Sequence, residues 1–271
     1  MAFTHWFGRN PITCEIGYQH ENFGAESFYE KIRDAQPMLV HIGHDVPVSS
    51  WMGPVILHGL TDVEYLDPEE IPARIESIRA HVRKLHEAGA VSVIPYICTM
   101  LCCGNPDTRI GWWRLLDRWE EFAHLGLGEK PEDDPVDWNQ SPVRPLPEDH
   151  VHNVYEPSVV APAWRRFLNV CVDLAAQCDY DGTFLDVNAY WGTGKYDLAA
   201  FTQYLGDRYS AKERAELFGF DSDDAIRFGD EQGTLLRYET LRYRAVTMGR
   251  LFAEQRDTGR KHVPDFWVSP T

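Results

Sequence analysis

The sequence predicts an α/β protein of the (β/α)8-barrel type, the TIM-barrel fold, and three observations support this prediction. Strand-like and helix-like segments alternate along the 271 residues, which is typical of a parallel sheet with crossover helices. The long polar segments follow the strands, where a barrel builds its active-site face. No G-x-G-x-x-G motif follows the first strand, which disfavours the dinucleotide-binding form of the alternative, an open doubly wound sheet.

Five short segments are predicted to be strands because they are rich in β-branched and aromatic residues and are bounded by turn residues. Pro95 lies inside the third segment, although proline cannot donate to a strand ladder. The segments are 12–18 (ITCEIGY), 37–44 (PMLVHIGH), 91–98 (VSVIPYIC), 182–187 (GTFLDV) and 265–271 (DFWVSPT).

Helices are predicted between these strands. In the clearest one, Asp67 is the N-cap, Pro68 the first helical residue and Glu70 the partner in a capping box, and Gly89 ends the helix. Its apolar residues recur at spacings of three and four and therefore share one face: Ile71, Ile75, Ile78, Val82 and Leu85. Further helices are predicted at 27–35, 111–124, 158–177, 196–205, 210–218 and 223–256.

The number of strands is smaller than a closed barrel requires. We expect residues 1–271 to form a single glycosidase-like (β/α) barrel domain with about five βα units, incomplete at its C-terminus. Three further units would add roughly 100 residues and bring the domain into the usual barrel range. An open sheet is the alternative.

Composition restricts the partners. The formal net charge of −16 disfavours nucleic acid and anionic membrane surfaces, which both attract basic proteins. Nine Trp and twelve Tyr are explained either by core packing or by rings that line a groove and stack on a carbohydrate substrate. Association with further copies of the chain is left open.

The six cysteines contain no C-x-x-C pair, so we predict reduced, buried thiols, no metal site and no cofactor. Neither a signal peptide nor an apolar run long enough for a membrane span is visible in the sequence. These features predict a cytoplasmic protein, although the removal of a secretory leader would leave the same sequence.

The stretch DGTFLDVNAYW (181–191) is the first candidate site. Asp186 stands where the fourth strand meets the loop face, and its carboxylate could act as nucleophile or stabilise an oxocarbenium ion. Asn188 could bind a sugar hydroxyl, and Tyr190 and Trp191 could form a stacking floor. In the alternative, Asp186 caps the following loop by accepting backbone N–H groups.

Two more polar clusters follow the first and second strands, YQHEN and HIGHD. Glu21 and Asp45 are candidates for a second catalytic carboxylate by position, and His20, His41 and His44 for substrate binding. A metal site of His41, His44 and Asp45 is less favoured, because ligands so close in sequence seldom all point inward. Hydrogen-bonded rim residues are the simpler explanation.

Two aromatic residues around the end of the third strand are also predicted to contact the substrate. Tyr96 lies in this strand, and Trp112 follows it in the WW pair at 112–113. Trp112 could belong to a binding wall, but a helix that packs its aromatic face into the core explains it equally well.

Three runs carry a family resemblance: PYICTMLCCGNPDTRIGWWRLLDRWEEF, YDGTFLDVNAYW and FTQYLGDRYSAKERAELFGF. Over about residues 90–271 the chain resembles bacterial glycoside-hydrolase-like barrel proteins that are loosely related to the family-42 β-galactosidases. The resemblance implies a barrel, and its D-G-x-x-x-D pattern implies that Asp186 is the nucleophile. In family-42 enzymes both catalytic residues are glutamates on later strands, and no residues here match them.

The sequence therefore predicts a carbohydrate-active protein, a glycoside hydrolase that acts on an oligosaccharide or polysaccharide. Two alternatives remain open at this point. One is a sugar-binding barrel without catalysis, and the other is a metal-dependent lyase or isomerase that uses His20, His41 and His44.

Overall fold

The computed structural model of the protein describes residues 13–16, 26–42, 46–47, 67–140, 153–186, 190 and 192–270. The strands in chain order are β1 (Thr13–Ile16), β2 (Leu39–Ile42), β3 (Ser92–Cys98), β4 (Cys102–Asn105), β5 (Ile110–Gly111), β6 (Asn153–Tyr155), β7 (Gly182–Asp186) and β8 (Trp267–Pro270). Five of them form a parallel sheet in the order β1-β2-β3-β7-β8. The predicted strands and their parallel arrangement are thereby confirmed.

The order of this sheet is that of consecutive strands in a barrel, because each strand pairs with the strand of the next βα unit. Counted along the sheet, β7 is the fourth strand. Within the described residues β1 and β8 form the two edges of the sheet, so the closed ring of a barrel is not observed. The structure is a mixed α/β fold built on a parallel sheet.

A second, antiparallel sheet of order β5-β4-β6 is inserted between β3 and the next strand of the main sheet. Two of its strands, β4 and β5, lie in the segment that directly follows β3. Cys102 pairs with Tyr155 in this sheet, far away along the chain. Strands of this length are too short to show an alternation of apolar and polar residues. Their position therefore depends on pairing with distant segments and not on the local sequence.

Seven helices lie in the described part of the chain: α1 (Glu26–Ala35), α2 (Ile71–Glu87), α3 (Trp112–Asp117), α4 (Pro162–Gln177), α5 (Lys195–Arg208), α6 (Ala211–Phe218) and α7 (Leu235–Gly259). Short 3-10 helices cover Pro68–Glu70, Trp119–Leu125, Pro135–Trp138 and Asp223–Ala225. The predicted helix over 111–124 is therefore split in two. No helix in these ranges is both long and apolar enough to cross a membrane.

Helix α2 confirms the predicted apolar stripe, whereas the predicted first turn, Pro68–Glu70, is a 3-10 helix. The backbone N–H of Asp67 donates to the Glu70 carboxylate at 2.7 Å, which closes one half of the capping box. The predicted apolar stripe is buried along its whole length: Ile71, Ile75, Ile78, Val82 and Leu85. Burial of each such side chain is worth about 1.5–3 kcal/mol, so this face fixes α2 against the sheet.

The last long helix begins later than predicted. The sequence predicts a start near residue 223, but α7 begins at Leu235. Gly233 takes a φ of +80°, which interrupts a helix. The hydroxyl of Thr234 then accepts from the N–H of Arg237 at 3.2 Å and caps the new helix.

One face of the parallel sheet packs against the helices. Val40 of β2 is in register with Val93 of β3. These two residues and Leu185 of β7 belong to the same buried cluster as the apolar side chains of α2 and α4. Five cysteines are also buried and form no disulfide, as the sequence predicts: Cys98, Cys102, Cys103, Cys171 and Cys178. The opposite face of the sheet carries the candidate site.

Candidate active site

Asp186 is the last residue of β7 and therefore lies at the carboxyl edge of the parallel sheet. Its Cα is in register with Cys98, the last residue of β3. Its backbone carbonyl accepts from the N–H of Thr99 at 2.9 Å, so the pairing continues to the end of both strands. The residue is partly exposed on the face away from the helices.

The side chain of Asp186 is held by a residue of the neighbouring strand. The hydroxyl of Tyr96 donates to Oδ2 of Asp186 at 2.5 Å, at the short end of the range for O–H···O hydrogen bonds. Among the described residues no cation pairs with Asp186, and Oδ1 accepts no hydrogen bond. The hydrogen bond from Tyr96 therefore fixes one of the two carboxylate oxygens.

Three rings lie together on the same face. The imidazole of His41 packs edge-on against Phe184, with 4.6 Å between ring centroids, and lies 6.0 Å from the ring of Tyr96. Tyr96 and Phe184 are themselves 6.0 Å apart. The structure thus brings three predicted site residues, His41, Tyr96 and Asp186, to one surface that is rich in rings.

Cys98 is next to this surface but is not suited to nucleophilic chemistry. It is buried, and burial raises the pKa of its thiol to about 12, with a further contribution from the charge of Asp186. Burial likewise raises the pKa of Cys103 to about 12. Because the thiolate is the reactive form, both thiols stay protonated near neutral pH and serve packing.

Tyr190 takes a different position from the stacking floor that the sequence predicts. Its side chain is 6% exposed, and its hydroxyl donates to the buried carboxylate of Asp197. The hydroxyl also lies 3.2 Å from that of Tyr243. Burial, followed by the charge of Asp197, raises the pKa of Tyr190. This placement makes Tyr190 an anchor of the loop after β7 and gives a sugar no open ring face.

Trp112 lies in the core. It has no exposed surface, its ring meets that of Trp138 edge-on at 5.4 Å, and it lies 4.9 Å from Phe167. Protein atoms cover its faces, so the position corresponds to the packing explanation rather than to a binding wall. Six other predicted site residues lie outside the described residues: His20, Glu21, His44, Asp45, Asn188 and Trp191.

Sequence reasoning missed the buried carboxylate that anchors this loop. Asp197, at the start of α5, accepts from Ser158 Oγ at 2.5 Å, from the N–H of Gly194 at 3.1 Å and from Tyr190. Burial raises the pKa of Asp197, and the hydrogen bonds of Ser158 and Tyr190 oppose that rise. An acid in the first turn of the helix predicted at 196–205 is the available signal.

Gln140, which lies between β5 and β6 in the chain, also forms hydrogen bonds with residues that follow β7. The side-chain oxygen of Gln140 accepts from the N–H of Gly192 at 3.1 Å. Its backbone carbonyl accepts from the N–H of Thr193 at 2.9 Å and from the hydroxyl of Thr193 at 2.6 Å. Residues 192–194 are thus held by Gln140 and by Asp197.

The described part of the chain brings together no three His, Cys, Asp or Glu side chains that could hold a metal ion. Of the three histidines in the metal-dependent alternative, only His41 falls within that part of the chain.

Comparisons with known proteins identify similar folds. No protein-family profile matches the chain, and no curated protein matches it. Among solved structures, the β-galactosidase of the psychrophilic Marinomonas ef1 matches 95% of this chain and 36% of its own, with a TM-score of 0.54 and 15% identity. A Paenibacillus cycloisomaltooligosaccharide glucanotransferase, solved with cycloisomaltoheptaose, matches 80% of this chain and 29% of its own, with a TM-score of 0.35 and 14% identity.

The chain spans about a third of the length of these structures. At such low identity the likeness to the β-galactosidase concerns the fold alone. Of these two, the β-galactosidase is the one whose TM-score indicates a shared fold.

Proposed function

We propose that this chain belongs to a glycoside hydrolase with a TIM-barrel fold that cleaves an oligosaccharide or polysaccharide. The observation that carries the proposal is the carboxylate of Asp186. It lies at the carboxyl edge of the fourth strand of the sheet, is partly exposed, and has one oxygen held by Tyr96. In TIM-barrel enzymes the catalytic residues stand at this end of the strands.

The surroundings of Asp186 suit a cationic transition state. The reacting sugar passes through an oxocarbenium-like state whose positive charge a carboxylate stabilises. We assign this negative charge to Asp186, which pairs with no cation among the described residues. The rings of His41, Tyr96 and Phe184 offer apolar surface for the sugar ring.

Asp186 is proposed as nucleophile or as charge stabiliser. As nucleophile, Oδ1 would form a bond to the anomeric carbon while the glycosidic bond breaks and a second carboxylic acid protonates the leaving oxygen. Glu21 and Asp45 are the candidates for that acid by their positions in the sequence. A separation of about 5 Å between the two carboxyl groups would indicate retention of configuration, and about 6.5–9.5 Å inversion.

The fold likeness to a β-galactosidase supports this proposal at the level of architecture. It selects neither the sugar nor the linkage. Further substrate contacts are proposed for His20, His44, Asn188 and Trp191, which the sequence places after the first, second and fourth strands.

The test compares Asp186→Asn with the wild-type full-length protein on a panel of para-nitrophenyl glycosides. We expect turnover to fall by about two orders of magnitude or more, because the amide can neither form the glycosyl ester nor carry charge. Unchanged turnover in this variant would remove Asp186 from the mechanism.

Asp181→Asn is the matched control. Asp181 precedes β7 at the opposite edge of the sheet, about 16 Å along the strand from Asp186. Its replacement should leave turnover within about twofold of the wild type when activity is measured well below the unfolding temperature.

A sugar-binding protein without catalysis is the second candidate, favoured by the ring-rich surface of His41, Tyr96 and Phe184. It predicts saturable binding of an oligosaccharide with no product release. Chromatography of an oligosaccharide after prolonged incubation with the wild-type protein distinguishes the two candidates.

A further inference from the structure

We propose that Tyr96 is the positioning residue of Asp186 and that it selects which carboxylate oxygen meets the sugar. The inference rests on the proposed function and assigns a role that differs from the substrate contact expected for Tyr96. In this role the hydroxyl of the tyrosine acts through the carboxylate and does not itself donate to the sugar.

The register of the two central strands creates the contact. Tyr96 pairs with Phe184 and Cys98 pairs with Asp186, so Tyr96 stands two residues before the level of Asp186 on the same face. A tyrosine that leans along its strand can span that offset. Its hydroxyl reaches Oδ2 at 2.5 Å, and residues 90 apart in sequence become direct partners.

A phenol has one proton to donate, and here it goes to Oδ2. Oδ1 is the oxygen that Tyr96 leaves unoccupied, and we assign it to the sugar. The terminal torsion of an aspartate is broad and intrinsically poorly fixed. The hydrogen bond from Tyr96 removes that freedom, which matters because misplacement of a reacting group by about 1 Å can cost about 100-fold in rate.

Tyr96 is itself held in place from both sides. The ring of His41 from β2 and the ring of Phe184 from β7 each lie 6.0 Å from the tyrosine ring. Packing of this kind fixes the rotamer of a supporting residue, as a preorganised site requires. A sugar hydroxyl that accepted from Tyr96 would have to displace Asp186.

The first experiment measures kcat and KM of Tyr96→Phe on the best glycoside of the para-nitrophenyl panel. This variant keeps the ring and loses only the donor. We expect kcat to fall about 10- to 100-fold while KM changes less than about threefold. A rise in KM with kcat unchanged would instead indicate a sugar contact and overturn the inference.

Tyr209→Phe is the matched control, since the hydroxyl of Tyr209 also donates to a carboxylate, that of Glu239 at 2.9 Å. This pair lies on α7 and the turn after α5, away from β3 and β7. Its loss should leave kcat within about twofold of the wild type.

A double-mutant cycle separates this inference from the proposed function. If Tyr96 acts through Asp186, Tyr96→Phe should have no further effect on kcat in an Asp186→Asn background. An equal loss of kcat in both backgrounds refutes the positioning role of Tyr96, while the proposed catalytic role of Asp186 stands. Full activity of Asp186→Asn refutes the proposed function, and a wild type inactive on every glycoside and oligosaccharide removes both.

Discussion

The imidazole of His86 joins the end of α2 to the start of β7 through the carboxylate of Asp181. Its Nε2 lies 3.1 Å from Oδ2 of Asp181, and its Nδ1 lies 3.1 Å from the carbonyl oxygen of Ala90. The same carboxylate oxygen accepts from the N–H of Val93 at 2.7 Å. Because both ring nitrogens face oxygen acceptors, this site favours the doubly protonated imidazolium.

This contact predicts that His86 stabilises the fold more in mild acid than in alkali. The hydrogen bond to Asp181 is the main cause that raises the pKa of His86, and burial opposes it. A raised folded-state pKa means that the stabilisation is complete below the unfolded-state pKa of about 6.5 and is lost as the pH rises through the folded-state value.

Urea unfolding of the wild type and of His86→Gln at pH 5.5 and pH 9 tests this prediction. The free-energy difference between the two proteins should be larger at pH 5.5, by about 0.5–1 kcal/mol for a partly exposed pair. The comparison at each pH cancels the titration of other groups, such as His262 beside Asp173. Equal differences at both pH values would contradict it.

The buried carboxylate of Asp197 predicts a large loss of stability on truncation. Asp197→Ala leaves the Tyr190 hydroxyl, the Ser158 hydroxyl and the Gly194 N–H without their acceptor. We expect the free energy of unfolding to fall by about 2–4 kcal/mol. Urea denaturation measures it, with the exposed Asp221→Ala as control, and a loss below about 1 kcal/mol would show that the network is dispensable.

The Gln140 brace predicts a smaller, local effect. Gln140→Ala removes the acceptor of the buried Gly192 N–H, which should cost about 1–2 kcal/mol. Amide hydrogen exchange should accelerate around residues 192–194 and remain unchanged in α2. The exposed Gln232→Ala is the control, and unchanged exchange in the loop would mean that the backbone contacts of Gln140 suffice to hold it.

The sequence by itself determined the elements of the main sheet and the position of its candidate acid. Periodic apolar residues such as Ile75 and Val82 place one face of α2 in the core whatever the surroundings. A short β-rich run bounded by turn residues likewise predicts β7, and with it an acid at its carboxyl edge, Asp186. These features depend on neighbours along the chain, which a single sequence shows.

The tertiary structure alone decided which side chains meet. Tyr96 and Asp186 lie 90 residues apart and touch only because β3 and β7 pair in one particular register. The sequence around Tyr190 and Trp112 does not distinguish a ring on the surface from a ring in the core. In the structure both side chains are buried: Tyr190 anchors its loop, and Trp112 packs in the core. Contacts of this kind depend on register and packing between distant segments, and no local pattern in the sequence encodes them.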